Sequence, residues 1–455
     1  MTMLRAGLLT GVFALCLSPH FGPDAEAQES HAPAPLELSL REAVQMALSP
    51  QGSLSIGIAG ESIQVANAQQ RQSRSAFLPD IDATVVGQAQ LINLAAQGLQ
   101  NINLPIPGFV FPQSSGSFPI LDARVHLRQS VIDAAARGRI QAAGAGVESA
   151  RVATDDVRDQ VAAQVAMLYL AALRATSMME LERSVIAESE TSLNEVTHRN
   201  GNGTALSIDV TQARVRLMSE KQRLMQLQME SSKASLALLS ALNRDLDTPL
   251  ELTEPLAFVP QDTPPPDDAI ATALKARSDV AAQQRRLEAA RLKDGAIHSE
   301  RLPSLNAYAD AGSIGTSIPN SQGTYDVGIA LRVPVFDGRR RDSRREEVQA
   351  EVRQEQMRAA LLKRQVELQV RQALLTLDVA RTQVETAAAE VDVAQQQLAH
   401  RERRSADGLS VEMEKNEAQV SLARARDAQF AAFYGWNQAR VELMQAMGTI
   451  RTLAQ

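Results

Sequence analysis

Residues 200–217 read NGNGTALSIDVTQARVRL, and residues 405–422 read SADGLSVEMEKNEAQVSL. With Gly203 set against Gly408, Asp209 meets Glu414, Ala213 meets Ala418 and Leu217 meets Leu422. Each stretch is a glycine turn followed by the opening of a helix. From Val210, alternating steps of three and four visit Ala213, Leu217, Glu220, Leu224, Leu227, Ser231, Ala234, Leu238 and Ala241. From Lys415 the same steps visit Ala418, Leu422, Ala425, Gln429, Ala432, Trp436, Ala439, Leu443 and Ala446. Both series are mostly apolar, which is the seam of helices that pack lengthwise. The small alanines along it let helix axes approach closely.

Working outward, proline marks where such helices can run. None occurs between Pro119 and Pro249, and none after Pro334. Both gaps are rich in Ala, Leu, Gln, Glu and Arg, which favour helix. The pattern predicts long helices over about 136–197 and 340–402, and return helices over about 204–243 and 409–447. Sixty helical residues span about 90 Å, more than a compact domain uses. The chain is therefore expected to build long antiparallel hairpins. Gly203 and Gly408 would supply positive φ at the turns.

Four further segments alternate with period two. In IDATVVGQAQL, Ile81, Ala83, Val85, Ala89 and Leu91 oppose Asp82, Thr84, Gln88 and Gln90. In DARVHLRQSV, Val125, Leu127 and Val131 oppose Arg124, His126, Arg128 and Ser130. LNAYADAG and YDVGIALRV alternate in the same way. The predicted strands lie at about 78–92, 117–133, 302–316 and 323–336. Their length suits a tilted membrane-crossing strand of about 9–11 residues. FLPDIDATV from Phe77 echoes RLPSLNAYA from Arg301. DARVHLRQSVID from Asp122 echoes DVGIALRVPVFD from Asp326. The reading is a tandem duplication, with repeats at 28–248 and 267–455 and a proline-rich linker at 249–266.

The first 27 residues read as an export signal: Arg5, an apolar run from Ala6 to Leu17, and a small-residue site AEA at Ala25–Ala27. Cys16, the one cysteine, falls within it, so the mature chain would hold no disulfide. Beyond that leader no run of 18 apolar residues is visible, so any membrane crossing is expected to be made by strands. A net charge of −7 argues against a nucleic-acid partner. The six histidines show no metal-ligand spacing, and no HExxH, GxSxG or P-loop occurs, so no cofactor, metal or enzymatic activity is expected.

Four strands cannot close a barrel. Left alone in lipid, the two edges would carry unsatisfied backbone groups at several kcal/mol each. Two chains give about 8 strands and a filled interior; three chains give 12 and an aqueous lumen.

The chain resembles the TolC-type outer-membrane efflux proteins across nearly its whole mature length. The resemblance rests on LSLREAVQMAL at Leu38–Leu48, AFLPDI and RLPSL opening strands, VPVFDG closing the last strand, and the doubled glycine-turn motif. It implies a mainly α protein with membrane β: a homotrimer with a 12-stranded β-barrel in the outer membrane, continued by a long periplasmic α-helical barrel. It implies an exit duct for efflux or type I secretion, working with a periplasmic adaptor and an inner-membrane pump. It also implies an acidic periplasmic aperture, for which the matching positions are Glu414 and Glu417, with Asp209 in the first repeat. The alternative for these carboxylates is first-turn complementation of a helix N-terminus. Arg401, Arg403 and Arg404 are the nearby candidates for gate contacts. Arg339, Arg340, Arg341, Arg344 and Arg345 would meet lipid head groups, or simply open a solvated helix. The rival reading of the whole chain is a soluble periplasmic coiled-coil scaffold or adaptor.

Overall fold

The computed structural model describes residues 35–98, 106–107, 112–406 and 412–454. The expected leader at 1–27 and Gly408 lie outside the described residues. Each repeat runs short helix, helix, strand, strand, long helix, return helix. In the first these are α1 (Leu40–Leu48), α2 (Leu54–Arg74), β2 (Asp80–Asn93), β3 (Ser114–Ile132), α3 (Ala134–Gly201) and α4 (Ser207–Ala241). In the second they are α5 (Pro266–Ala276), α6 (Ser278–His298), β5 (Ser304–Gly315), β6 (Ser321–Arg332), α7 (Arg340–Ala406) and α8 (Glu412–Met447). Two three-residue strands, β1 (Leu36–Leu38) and β4 (Leu250–Leu252), pair in parallel and join the start of the first repeat to the connecting segment.

The four long strands form one antiparallel sheet in the order β2-β3-β5-β6. Opposed residues share a face, so the alternation in the sequence sorts the sheet into two sides. One side carries Ile81, Val85, Val125, Val327, Ile329 and Leu331, all exposed. The other carries Asp82, His126, Asp310 and Asp326. β6 stops at Arg332, short of the 336 that alternation alone suggested, because Pro334 has no N–H to give a ladder. The extended residues up to Asp337 instead lead into α7.

α3 has 68 residues, about 100 Å of helix. Asp133 caps it: its Oδ1 accepts the Ala136 N–H at 2.9 Å. The helix also contains an 18-residue window apolar enough to cross a membrane, contrary to the sequence expectation. Half of that window is buried against neighbouring elements, as in a core helix. Val161, Val165, Tyr169 and Leu173 pack with Leu38, Leu238 and Leu256, and the Tyr169 hydroxyl donates to the Leu38 carbonyl at 3.1 Å. In the second repeat Trp436 is fully buried among Val366, Val370, Leu377 and Leu443, with Nε1 donating to the Val259 carbonyl at 3.1 Å. Both polar tips are thereby satisfied within apolar layers.

The long helices lie side by side in the order α4-α3-α8-α7, since α3 packs on α4 and α8, and α8 on α7. α8 is flanked on both sides, so every apolar member of its seam from Ala418 to Ala446 is buried. α4 is at the rim, and most of its seam stays half-covered.

Candidate functional site

The far end of the helical hairpins gathers the acidic candidates. α3 ends in a Schellman turn: Thr204 N–H donates to the Arg199 carbonyl at 2.8 Å, and Gly203 N–H to the Asn200 carbonyl at 3.0 Å. Gly203 carries φ +74° there, with no atom near where a Cβ would sit, so the requirement is one of backbone conformation alone. Asp209 sits in the first turn of α4, and its Oδ2 accepts the Leu206 N–H at 3.0 Å. Asp209 thus engages its own helix N-terminus, where a carboxylate both satisfies an orphan donor and complements the dipole.

Glu414, at the start of α8, is held by the Arg401 guanidinium near the end of α7. Glu417, one turn further along α8, lines two polar hollows. One is shared with Arg216, Ser189 and Arg424; the other with His400, Arg401 and Arg404. The fold therefore brings Asp209, Glu414 and Glu417 to one end of the bundle, with Arg401 already paired to one of them.

Above this end the hairpins are linked by polar contacts that the heptad reading missed. Lys415 on α8 meets Glu195 on α3 at 3.6 Å, and Arg426 meets Glu188 at 3.8 Å. Arg223 on α4 binds Asp427 on α8 and lies 3.3 Å from Glu182 on α3. The Glu182 side chain is almost fully buried, and its Oε1 has no hydrogen-bond partner. Burial pushes its carboxyl up to about 7; the neighbouring Glu220 carboxyl adds to the rise and Arg223 opposes it. The signal was a single glutamate, Glu182, on the buried stripe of α3, which periodicity alone scores only as a break.

At the opposite end, the arginine cluster opens α7. Arg341 is largely buried and bonds Asp337 Oδ2 at 2.7 Å. Arg344 meets Glu300 at 2.9 Å and Arg345 lies 3.8 Å from Asp294. Arg340 is exposed and only 4.0 Å from Asp337. Arg339 takes φ +67°, directly after Gly338 at the same φ. Three of the five arginines therefore tie α7 to the preceding elements, and Arg339 and Arg340 face outward.

Within the sheet, the polar side holds a row at one level: Asp82, His126, Asp310 and Asp326, one from each strand. His126 Nδ1 bonds Asp310, and its Nε2 lies 2.9 Å from Thr84 Oγ1. With Nδ1–H given to the carboxylate, Nε2 of a neutral ring accepts the threonine hydroxyl.

The sequence profile of the family described as outer membrane efflux protein matches residues 49–244 and 269–449, one span for each repeat. The chain belongs to that family. Among curated relatives, the toluene efflux pump outer membrane protein TtgF of Pseudomonas putida is 32% identical over 173 residues, covering 37% of this chain. The matched stretch spans 34% of that relative, about a third of its length. Solved channels of this fold superpose over most of the chain. CmeC of Campylobacter jejuni gives a TM-score of 0.72 at 16% identity, covering 90% of this chain and 85% of CmeC. The open state of MtrE of Neisseria gonorrhoeae gives 0.73 at 17% identity, covering 91% and 90%. At such identities the likeness establishes the outer membrane efflux protein fold, with its strand sheet and long helical region.

Proposed function

We propose that three copies of this chain form an outer-membrane exit channel, gated at the far end of its helices. The observation that carries this reading is that both rims of the protomer are unfinished, and in matching ways. β2 and β6 each have one unpaired edge. The rim helix α4 exposes Ile208, Val215, Met218, Met225, Met229 and Leu236 at heptad spacing. The opposite rim helix α7 exposes Met357, Leu361, Leu368, Leu375, Val379 and Val393 at the same spacing. Joining rim to rim around a ring satisfies strand edges and apolar stripes together. Three copies supply 12 strands, the smallest ring with a water-filled lumen.

In this assembly the apolar sheet face meets lipid and the row through His126 meets the lumen. Glu414 and Glu417 line the periplasmic aperture, with Arg401 as a closing contact, and Asp209 stands beside it. Arg339 and Arg340 reach the head groups of the inner leaflet. Specificity belongs to the pump and adaptor that such a duct serves, as for relatives named as efflux pump components.

Planar-bilayer recording of the purified protein tests the reading. Discrete cation-preferring steps are expected from wild type, with larger conductance and weaker preference in a Glu414→Ala/Glu417→Ala double variant. Steps unaltered by that variant would remove the two carboxylates from the aperture. Protein that stays monomeric and water-soluble without detergent would overturn the channel.

A further inference from the structure

The seam between the two hairpins repeats every seven residues, and one layer of it lacks its counter-ions. In the upper layer Arg223 of α4 stands between Glu182 of α3 and Asp427 of α8. Seven residues nearer the tip on each helix, the same three places hold Arg216, Ser189 and Val420. The heptad repeat puts these side chains in the same relation, so Arg216 faces a hydroxyl and a methyl pair where Arg223 faces two carboxylates.

A hollow of about 440 Å³ occupies that layer. Ser189, Ser192, Arg216, Glu417, Val420 and Arg424 line it, from three helices. Among the described residues, two polar atoms in it are buried with no hydrogen-bond partner: Ser189 Oγ and Arg216 Nε. Ser189 itself is 5% exposed. Buried polar groups are ordinarily partnered, so two unmet ones in a single layer mark a place for a bound group. The remaining contacts of Arg216 are long: Nη1 to Gln419 Oε1 at 3.4 Å, and Nε to Glu220 at 3.9 Å. Among the described residues Arg424 makes no ion pair. Glu417 is the one carboxylate in the lining.

We propose that this hollow binds a phosphate-type oxyanion, which takes the place that Glu182 and Asp427 fill one layer above. Two guanidinium groups and a buried hydroxyl are the donors such an anion uses. They converge from three helices rather than from one plane, which suits a tetrahedral oxyanion better than a planar carboxylate. The volume accommodates the anion with several hydrating waters. Once bound, it ties α4 to α8 through Arg216 and Arg424, as Asp427 does through Arg223. The inference does not depend on the channel reading, because it concerns the seam of one protomer.

The test is the thermal unfolding midpoint of the full chain in detergent, titrated with sodium phosphate at constant ionic strength set by sodium chloride. A parallel arm uses sodium acetate. Wild type is expected to gain stability saturably with phosphate and to respond little to acetate. Arg216→Gln is expected to weaken the apparent affinity at least tenfold. Val420→Asp supplies the missing carboxylate and is expected to abolish the response while leaving a folded protein, so the test survives if the arginine variant fails to fold. Glu417→Gln removes the competing carboxylate and is expected to tighten binding several-fold. A flat wild-type titration overturns the proposal and leaves water in the hollow. A Val420→Asp response equal to wild type overturns the site, and an acetate response equal to phosphate overturns the phosphate assignment.

Discussion

Arg401 near the end of α7 grips the carboxylate of Glu414 at the start of α8. Both side chains remain more than a third exposed. The pair bridges the two helices at that tip and stands where the proposed channel is narrowest. An ion pair this exposed contributes about 0.2–1 kcal/mol, or up to about fivefold in an equilibrium. Arg401→Ala should therefore raise the open fraction of single channels by about two- to fivefold. An equal rise is expected from Glu414→Gln, with no further rise in the double variant. Additive effects of the two changes would show that they act separately.

The buried carboxyl of Glu182 gives a pH dependence of definite sign. Its folded value is raised to about 7, above the ordinary carboxylate value of 4.5. The folded state therefore holds its proton more tightly than the unfolded chain does. Stability from this group is full below about pH 4.5 and is lost as pH rises through about 7. Glu182→Gln should stabilise the protein above pH 7 by about 1–2 kcal/mol and flatten the profile between pH 4.5 and 7. Arg223 beside it is half-exposed, so solvent screens much of that pairing. Thermal melts across pH 4–8 measure the effect, and parallel wild-type and variant profiles would count against the assignment.

Gly138 marks the close crossing of α3 and α6. A Cβ there would lie 2.7 Å from the Ala296 Cα and 2.8 Å from its Cβ. Backbone cannot yield as a flexible side chain would, so Gly138→Ala should destabilise by about 1–3 kcal/mol despite the better helix propensity of alanine. Gly146, on the same helix with nothing within 4 Å, is the control, and Gly146→Ala should be neutral or stabilising. A melt in which both variants gain stability would show that the helices do not cross so closely.

The row Asp82, His126, Asp310 and Asp326 places three carboxylates at one level of the polar sheet face. In a closed trimer this level would carry nine. Asp326→Asn, the member farthest from the His126 contact, should lower cation preference in bilayer reversal-potential measurements without changing the strand register. Asp310→Asn should do so as well and also release His126. A reversal potential unmoved by either change would place this face away from the ion path.

Much of the architecture was legible from residues alone, for identifiable reasons. Alternation in IDATVVGQAQL and DARVHLRQSV encodes a two-faced strand because successive side chains along a strand point to opposite faces. The steps from Lys415 to Ala446 encode a packed seam because a heptad keeps one stripe facing a partner. Gly203 stood out because a helix end asks for positive φ, which it has. β1 and β4 were not legible: three residues are too few for a period, and only their mutual pairing defines them. The arginine cluster looked uniform in GRRRDSRRE, yet three of its members are tied to Asp337, Glu300 and Asp294. Those partners lie on other segments or at the cap, so nothing local separates them from Arg339 and Arg340.

The sequence by itself determined the kinds of element, their doubling and the sidedness of the sheet, since these follow from short-range periodicity and from where proline and glycine stand. Only the tertiary structure decided which charges meet. It set Arg401 on Glu414 and Arg223 between Glu182 and Asp427, while Arg216 one heptad below was left facing Ser189 and Val420. Charge pairing acts over a few ångströms between segments far apart in the chain, and only the packing of the helices brings those segments together.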